Sequence, residues 1–239
     1  MFPIGDDNSQ RTVTPFVNYL LIAVNIAVFI FLQKMGTNDA FLLSYSTVPE
    51  EILTGADITS GGLGVSPTPV HITILTSMFM HGGIAHIAGN MLYLWIFGDN
   101  LENVMGHIKY LVFYLLCGVL ATLAHVLATA VLGHSTLVPS LGASGAISGV
   151  LGGYLLLFPR NKVRVFVFRF VTTVPAIVSL GIWIAMQLVS SLSLLGGEGS
   201  GGGVAYAAHI GGFVAGLILV KFFATKREAA QVVRQDQKY

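Results

Sequence analysis

Residues 141–159 read Leu-Gly-Ala-Ser-Gly-Ala-Ile-Ser-Gly-Val-Leu-Gly-Gly-Tyr-Leu-Leu-Leu-Phe-Pro. The run is apolar over helical length and carries glycine at 145, 149 and 153. A glycine at every fourth position strips one helix face of side chains, so a second helix can approach at backbone distance. Ser144 stands at the start of that face. This placement predicts a nucleophile sunk in a close-packed membrane bundle, with a base and an anion site supplied by other helices.

The composition around this stretch agrees. Of 239 residues, 54% are hydrophobic and 10% are charged, whereas a soluble domain carries about 25% charged residues. The chain reads as an all-α polytopic membrane protein. A net charge of +1 points away from a nucleic-acid partner. The single cysteine, Cys117, cannot form an internal disulfide. The opening Met-Phe-Pro-Ile-Gly-Asp-Asp-Asn-Ser-Gln-Arg is polar and acidic. The first apolar run has no clear small-residue cleavage site behind it, so it reads as a retained helix.

A span needs about 20 mostly apolar residues. Six candidates emerge: Phe16–Gln33, Ile84–Leu101, Ile108–Leu132, Leu137–Phe158, Val171–Leu195 and Val204–Ala224. Together they make one membrane domain over 16–224, between tails at 1–15 and 225–239. With the N-terminus inside, Arg11, Lys109, Arg160, Lys162, Arg164, Arg169, Lys221, Lys226, Arg227, Arg234 and Lys238 all fall inside. Only Lys34 falls outside. The excess of basic residues predicts an N-in, C-in bundle. The loop 34–83 is then external. Its apolar runs (Phe41–Leu43, Ile72–Leu75) predict that it packs partly on the outer leaflet. The external glycine-rich segment 196–203 suits a mobile cap or a plain connector.

Polar groups inside a membrane are costly and therefore candidates for function. His86 and Asn90, four apart, share a face of the second span. Ser144 is on the fourth and His209 on the sixth, beside the small residues Ala208, Gly212 and Gly216. Spans two, four and six run in one direction, which puts these residues within roughly 10 Å of the outer edge. Each residue alone has a structural explanation. A membrane serine often bonds to its own helix backbone, and a histidine or an asparagine can tie two helices together. Their coincidence at one depth is what points to chemistry. His71, His107, His125 and His134 have no such company. A transporter or proton relay lacks an inverted repeat and a carboxylate at mid-membrane. No His-Glu-x-x-His is present for a zinc protease, and no pair of aspartates lies in the spans.

These residues resemble the rhomboid family of intramembrane serine proteases in its six-helix bacterial form. The matches are His81 and His86-x-x-x-Asn90 on the second span, Gly142-x-Ser144-Gly145 on the fourth, and Ala208-His209-x-x-Gly212 on the sixth. The resemblance covers the membrane core from about Phe16 to Ala224. It implies a six-helix rhomboid-like bundle and hydrolysis of peptide bonds in or near the transmembrane helices of membrane-protein substrates. Ser144 would be the nucleophile and His209 its general base. His86, Asn90 and the Ser144 backbone N–H would form the oxyanion site, and His81 would help hold the external loop. No metal or cofactor is implied. A bacterial inner membrane is the expected location, with the site opening to the external face. A catalytically inactive relative that binds membrane helices is the alternative, although such forms are expected to lose the serine or the histidine. Two departures stand out. A Trp-Arg pair common in the external loop is replaced by Val70-His71-Ile72-Thr73, and a tyrosine four residues after the serine is replaced by Ser148. Tyr206 and Ser148 are the candidate neighbours left to support the His209 ring.

Overall fold

The structure, a computed structural model, describes residues 2–195 and 206–224. The expected glycine-rich cap 196–203 and the tail 225–239 lie outside the described residues. Helix α1 (Phe16–Ala27) continues into a π-helical turn, Val28–Leu32. The segment between α1 and the next long helix holds three short helices, α2 (Asp39–Tyr45), α3 (Pro49–Thr54) and α4 (Thr73–Thr76). Then come α5 (Ile84–Met105), α6 (His107–Val131), α7 (Ser144–Leu157), α8 (Ala176–Leu195) and α9 (Tyr206–Phe223). Helices α6 and α9 are long and apolar enough to cross a membrane on their own. Helix α5 qualifies together with Val70–Phe79, from which it bends by 79°. Phe16–Leu32, α7 and Ala176–Ser191 are apolar but shorter.

Helix α7 is the axis of the bundle, and its small residues explain why. A side chain on Gly212 or Gly216 of α9 would run into the carbonyls of Gly145 or Gly149, and one on Gly152 into that of Phe213. The two helices therefore run parallel, backbone against backbone. On its other flank α7 meets α6 running the opposite way. Gly145 faces Ala121, Gly149 faces Cys117 and Gly153 faces Phe113. Gly145, Gly149 and Gly153, the glycine face foreseen, thus all point at α6, and Gly152, with Gly212 and Gly216 of the facing helix, makes the close approach to α9.

A three-stranded antiparallel sheet corrects the all-α expectation. Its strands are β1 (Phe2–Asp6), β2 (Lys162–Val167) and β3 (Phe170–Pro175), in that order across the sheet. Residues 1–15 are therefore not a plain tail, and the fifth span does not begin at Val171 but as helix at Ala176. The cause lies in β2. Lys-Val-Arg-Val-Phe-Val alternates with the period of a strand. Val163 and Val165 are fully buried while Lys162, Arg164 and Phe166 point outward.

At this end of the molecule the polar residues are densely paired. Both Glu102 carboxylate oxygens accept from α1, from the backbone N–H of Val17 at 2.9 Å and of Asn18 at 2.7 Å. Asn18 donates to the Leu94 carbonyl and accepts from the Tyr110 hydroxyl. Arg11 pairs with Asp99 at 2.8 Å. Asn100 and Tyr154 both donate to Asp6 of β1. Burial, with some help from the neighbouring charges of Asp99 and Asp7, raises the Asp6 carboxyl from its ordinary 3.8 to about 7, against the Tyr154 hydrogen bond.

Candidate active site

The opposite end of the bundle gathers the first turns of three helices. Ser144 opens α7, His86 is the third residue of α5, and His209 is the fourth of α9. The expectation that Ser144 lies some seven residues inside its span is corrected. The helix begins at Ser144 itself, and residues 137–143 lie above it without helical structure. Fourteen residues cover about 21 Å, less than the ~30 Å of a bilayer core.

The His209 Nε2 lies 2.9 Å from the Ser144 Oγ. This is hydrogen-bond distance for a nucleophile and its base. The glycine contacts that bring the α7 and α9 backbones together put this pair in reach of each other. On its far side the His209 Nδ1 lies 2.8 Å from Gln187 Oε1 of α8. The Trp183 ring, one turn earlier on α8, has its centroid 6.0 Å from that of His209, tilted by 39°. The support for the histidine therefore comes from α8. Ser148, one of the candidate neighbours, instead donates its hydroxyl to the Ser144 carbonyl at 2.6 Å. Gln187 and Trp183 were missed by the sequence reading. Their signal was a lone amide in an apolar span, four residues after an aromatic ring and so on the same helix face.

His86 flanks the serine from α5. A Cβ built on Gly142 would sit 3.0–3.1 Å from the His86 ring and 3.5 Å from Ser144 Oγ. Both groups thus border the space over the Gly142 α-carbon. The Gly142 backbone has a φ of 130°, which a residue with a side chain avoids, so glycine keeps this space open. The Gly82 N–H donates to His86 Nδ1 at 3.3 Å. The imidazole proton then resides on Nε2, the atom turned toward Gly142 and Ser144, and His86 is a donor there. Asn90, one turn along α5, has its amide Nδ2 buried without a hydrogen-bond partner. The start of α7 has no side-chain cap, so its first backbone N–H groups are also uncommitted.

His81 is buried beside this group, its ring 5.2 Å from that of His86. Its backbone is clamped at both ends by Gln33, which accepts from the His81 N–H and donates to the His81 carbonyl, each at 2.9 Å. Gly145 sits against Ala121 and Ala208. The loop between α1 and α5 packs over the site. The Gly142 N–H donates to the Ser77 carbonyl, and Thr47 and Ser140 exchange two backbone hydrogen bonds. A pocket beside Ser144 is lined by Ser77, Thr122 and Ser140, together with Met78, Leu141 and several glycines and alanines. Its hydroxyls give a water molecule partners in an otherwise apolar region.

Comparison with known proteins agrees with this geometry. A sequence model of the rhomboid domain matches residues 70–226. The chain is 30% identical over 219 residues to the mitochondrial rhomboid protein 1 of Saccharomyces cerevisiae, covering 92% of this chain and 56% of that protein. It is 28% identical over 187 residues to the rhomboid protease GluP of Bacillus subtilis, covering 77% of this chain and 33% of that one. The mitochondrial presenilin-associated rhomboid-like protein of Bos taurus is 31% identical over 215 residues, covering 90% and 49%. The chain spans between a third and a little over half of the length of these relatives. The model match and these identities, added to a serine, a histidine and two further donors at the starts of three helices, make the chain a member of the rhomboid family.

Proposed function

We propose that this chain is a serine endopeptidase that cleaves peptide bonds in or near the transmembrane helices of membrane proteins. The observation that carries the reading is the 2.9 Å approach of His209 Nε2 to Ser144 Oγ, with His86 and Asn90 beside it. In the first step Ser144 Oγ attacks the scissile carbonyl carbon while its proton passes to His209 Nε2. The negative charge that develops on the carbonyl oxygen meets the His86 Nε2–H, the Asn90 amide and the Ser144 N–H. Collapse of this intermediate breaks the C–N bond, and His209 gives its proton to the leaving amine. An acyl-Ser144 ester remains. Water admitted from the hydroxyl-lined pocket then attacks the ester while His209 takes its proton; the C–Oγ bond breaks, the new carboxyl product leaves, and His209 returns the proton to Ser144 Oγ.

In this reading 16–224 is one membrane domain of six spans, with 1–15 and 225–239 inside. The segregation of charge supports it. Arg11 binds Asp99 at the sheet end, whereas Lys34 follows Gln33, which holds His81 at the site end. The named relatives include mitochondrial proteins of yeast and cattle as well as one from a bacterium. They support a membrane location without singling out the bacterial inner membrane expected from the sequence.

The test is labelling by a fluorophosphonate in detergent, read by intact mass, together with cleavage of a model membrane substrate. Labelling and cleavage that vanish in Ser144→Ala and His209→Ala support the protease. An unlabelled wild type that also leaves the substrate intact would replace this reading with that of an inactive helix-binding relative.

A further inference from the structure

We propose that Gln187 is a positioning residue that sets the tautomer and orientation of His209, so that the base of the proposed protease is held by a neutral amide. The proposal rests on the protease reading and adds a third residue to it. Nε2 can take the Ser144 proton only when it is bare, so the imidazole proton must sit on Nδ1. In an apolar bundle that N–H needs an acceptor. Gln187 Oε1, 2.8 Å away, is that acceptor, and a carboxamide oxygen can only accept.

The amide also suits its surroundings. A carboxylate at this position would carry a charge into an apolar span at considerable cost. An amide fixes the ring without that cost. Trp183, on the same face of α8, bounds the side of the ring, so one helix supplies both the in-plane contact and the flank. The titratable side chains that face His209 among the described residues are His86 of α5 and His125 of α6. Neither can replace the Gln187 contact, because Nδ1 is already engaged. No proton moves to Gln187 during the reaction. The Nδ1–H bond persists while the Ser144 O–H bond breaks and the Nε2–H bond forms.

Three measurements test this, beginning with fluorophosphonate labelling of the wild type and Ser144→Ala. An unlabelled wild type overturns the protease reading and the proposal with it. Given a labelled wild type, Gln187→Leu is expected to lower kcat on the order of tenfold to a hundredfold with KM changed less than about twofold. Gln187→Glu restores an acceptor and adds a charge that favours the protonated imidazole. It is expected to recover activity over Gln187→Leu and to move the acid limb of the pH–rate profile to higher pH by about one unit. A Leu variant with wild-type kcat overturns the proposal and leaves the protease reading intact, as does a Glu variant with an unmoved profile. The wild type itself provides the check that needs no variant of Gln187. In ¹⁵N-histidine spectra, with His209 identified by its loss in His209→Ala, Nδ1 is expected protonated and Nε2 bare. The reverse tautomer overturns the proposal.

Discussion

Two helix N-termini, at opposite ends of the bundle, are finished in opposite ways. The start of α1 has no cap of its own, yet its Val17 and Asn18 N–H groups are taken up by the buried carboxylate of Glu102. The start of α7 is also uncapped, and around it stand donors without protein partners, among them the Asn90 amide. An unpaired buried donor costs free energy, so a fold keeps one where something else is to occupy it. A saturated terminus is architecture, whereas an unsaturated one next to a bonded serine and histidine is where the proposed reaction would place its anion. Residues that look alike in the sequence, polar groups within apolar helices, are told apart by this bookkeeping.

Substitutions at the two ends should therefore part company, the outer ones lowering rate at constant stability and the inner ones the reverse. The largest effect is expected from Ser144→Ala and His209→Ala, each lowering kcat by about 10⁴-fold or more while the melting temperature in detergent holds. Substantial turnover in either would break the contrast. Asn90→Ala is expected to lower kcat by roughly tenfold to a hundredfold, since His86 and the backbone still donate. An unaltered rate would remove Asn90 from the anion site. Glu102→Ala leaves two backbone N–H groups buried and unpaired. It should destabilise by about 2–5 kcal/mol, seen as a lower melting temperature, with the folded fraction still cleaving at the normal rate. The narrowest effect, confined to one pH window, concerns Asp6. The folded protein binds its proton more tightly than the unfolded chain, for which the ordinary value of 3.8 applies, with a folded value of about 7. Its contribution to stability is complete below about pH 4 and is lost as the pH rises to about 7. Asp6→Asn should flatten this part of the stability profile while the pH dependence of cleavage stays as in the wild type. A profile that remains unchanged would remove Asp6 as its source.

The legible parts of the sequence were those whose physics is local or periodic. The glycines of 141–159 specify a close approach whatever the partner, and Ala208, Gly212 and Gly216 identify the partner by the same sign. His86 and Asn90 share a face by spacing alone. The illegible parts depended on tertiary pairing. Strand β2 carries a period-two pattern, but polar and apolar residues alternate only over Lys162–Val165, beside a run that also suits a span, and its partner β1 lies far off in the chain. Gln187 is marked only as a lone amide one turn after Trp183, and its meaning is His209, which belongs to another helix. The start of α7 was placed too early because residues 137–143 are apolar enough to extend a span, although they form a loop tied to Ser77 and Thr47.

The pairing of β1 with β2 also has a consequence for how the molecule is put together. Phe2 lies opposite Phe166, with four of the long helices of the bundle between them in the chain. Closing a contact across roughly 160 residues is slow compared with winding a helix or docking two neighbours. Strand β1 must therefore wait, unpaired, until α7 has been delivered and the chain beyond it has emerged. Strand β1 is itself also bonded, through Asp6, to Asn100 of α5 and to Tyr154 of α7. Its docking thus reports that β2 has joined the helices that precede it, and amide protection along β1 would show which molecules in a population have reached that stage.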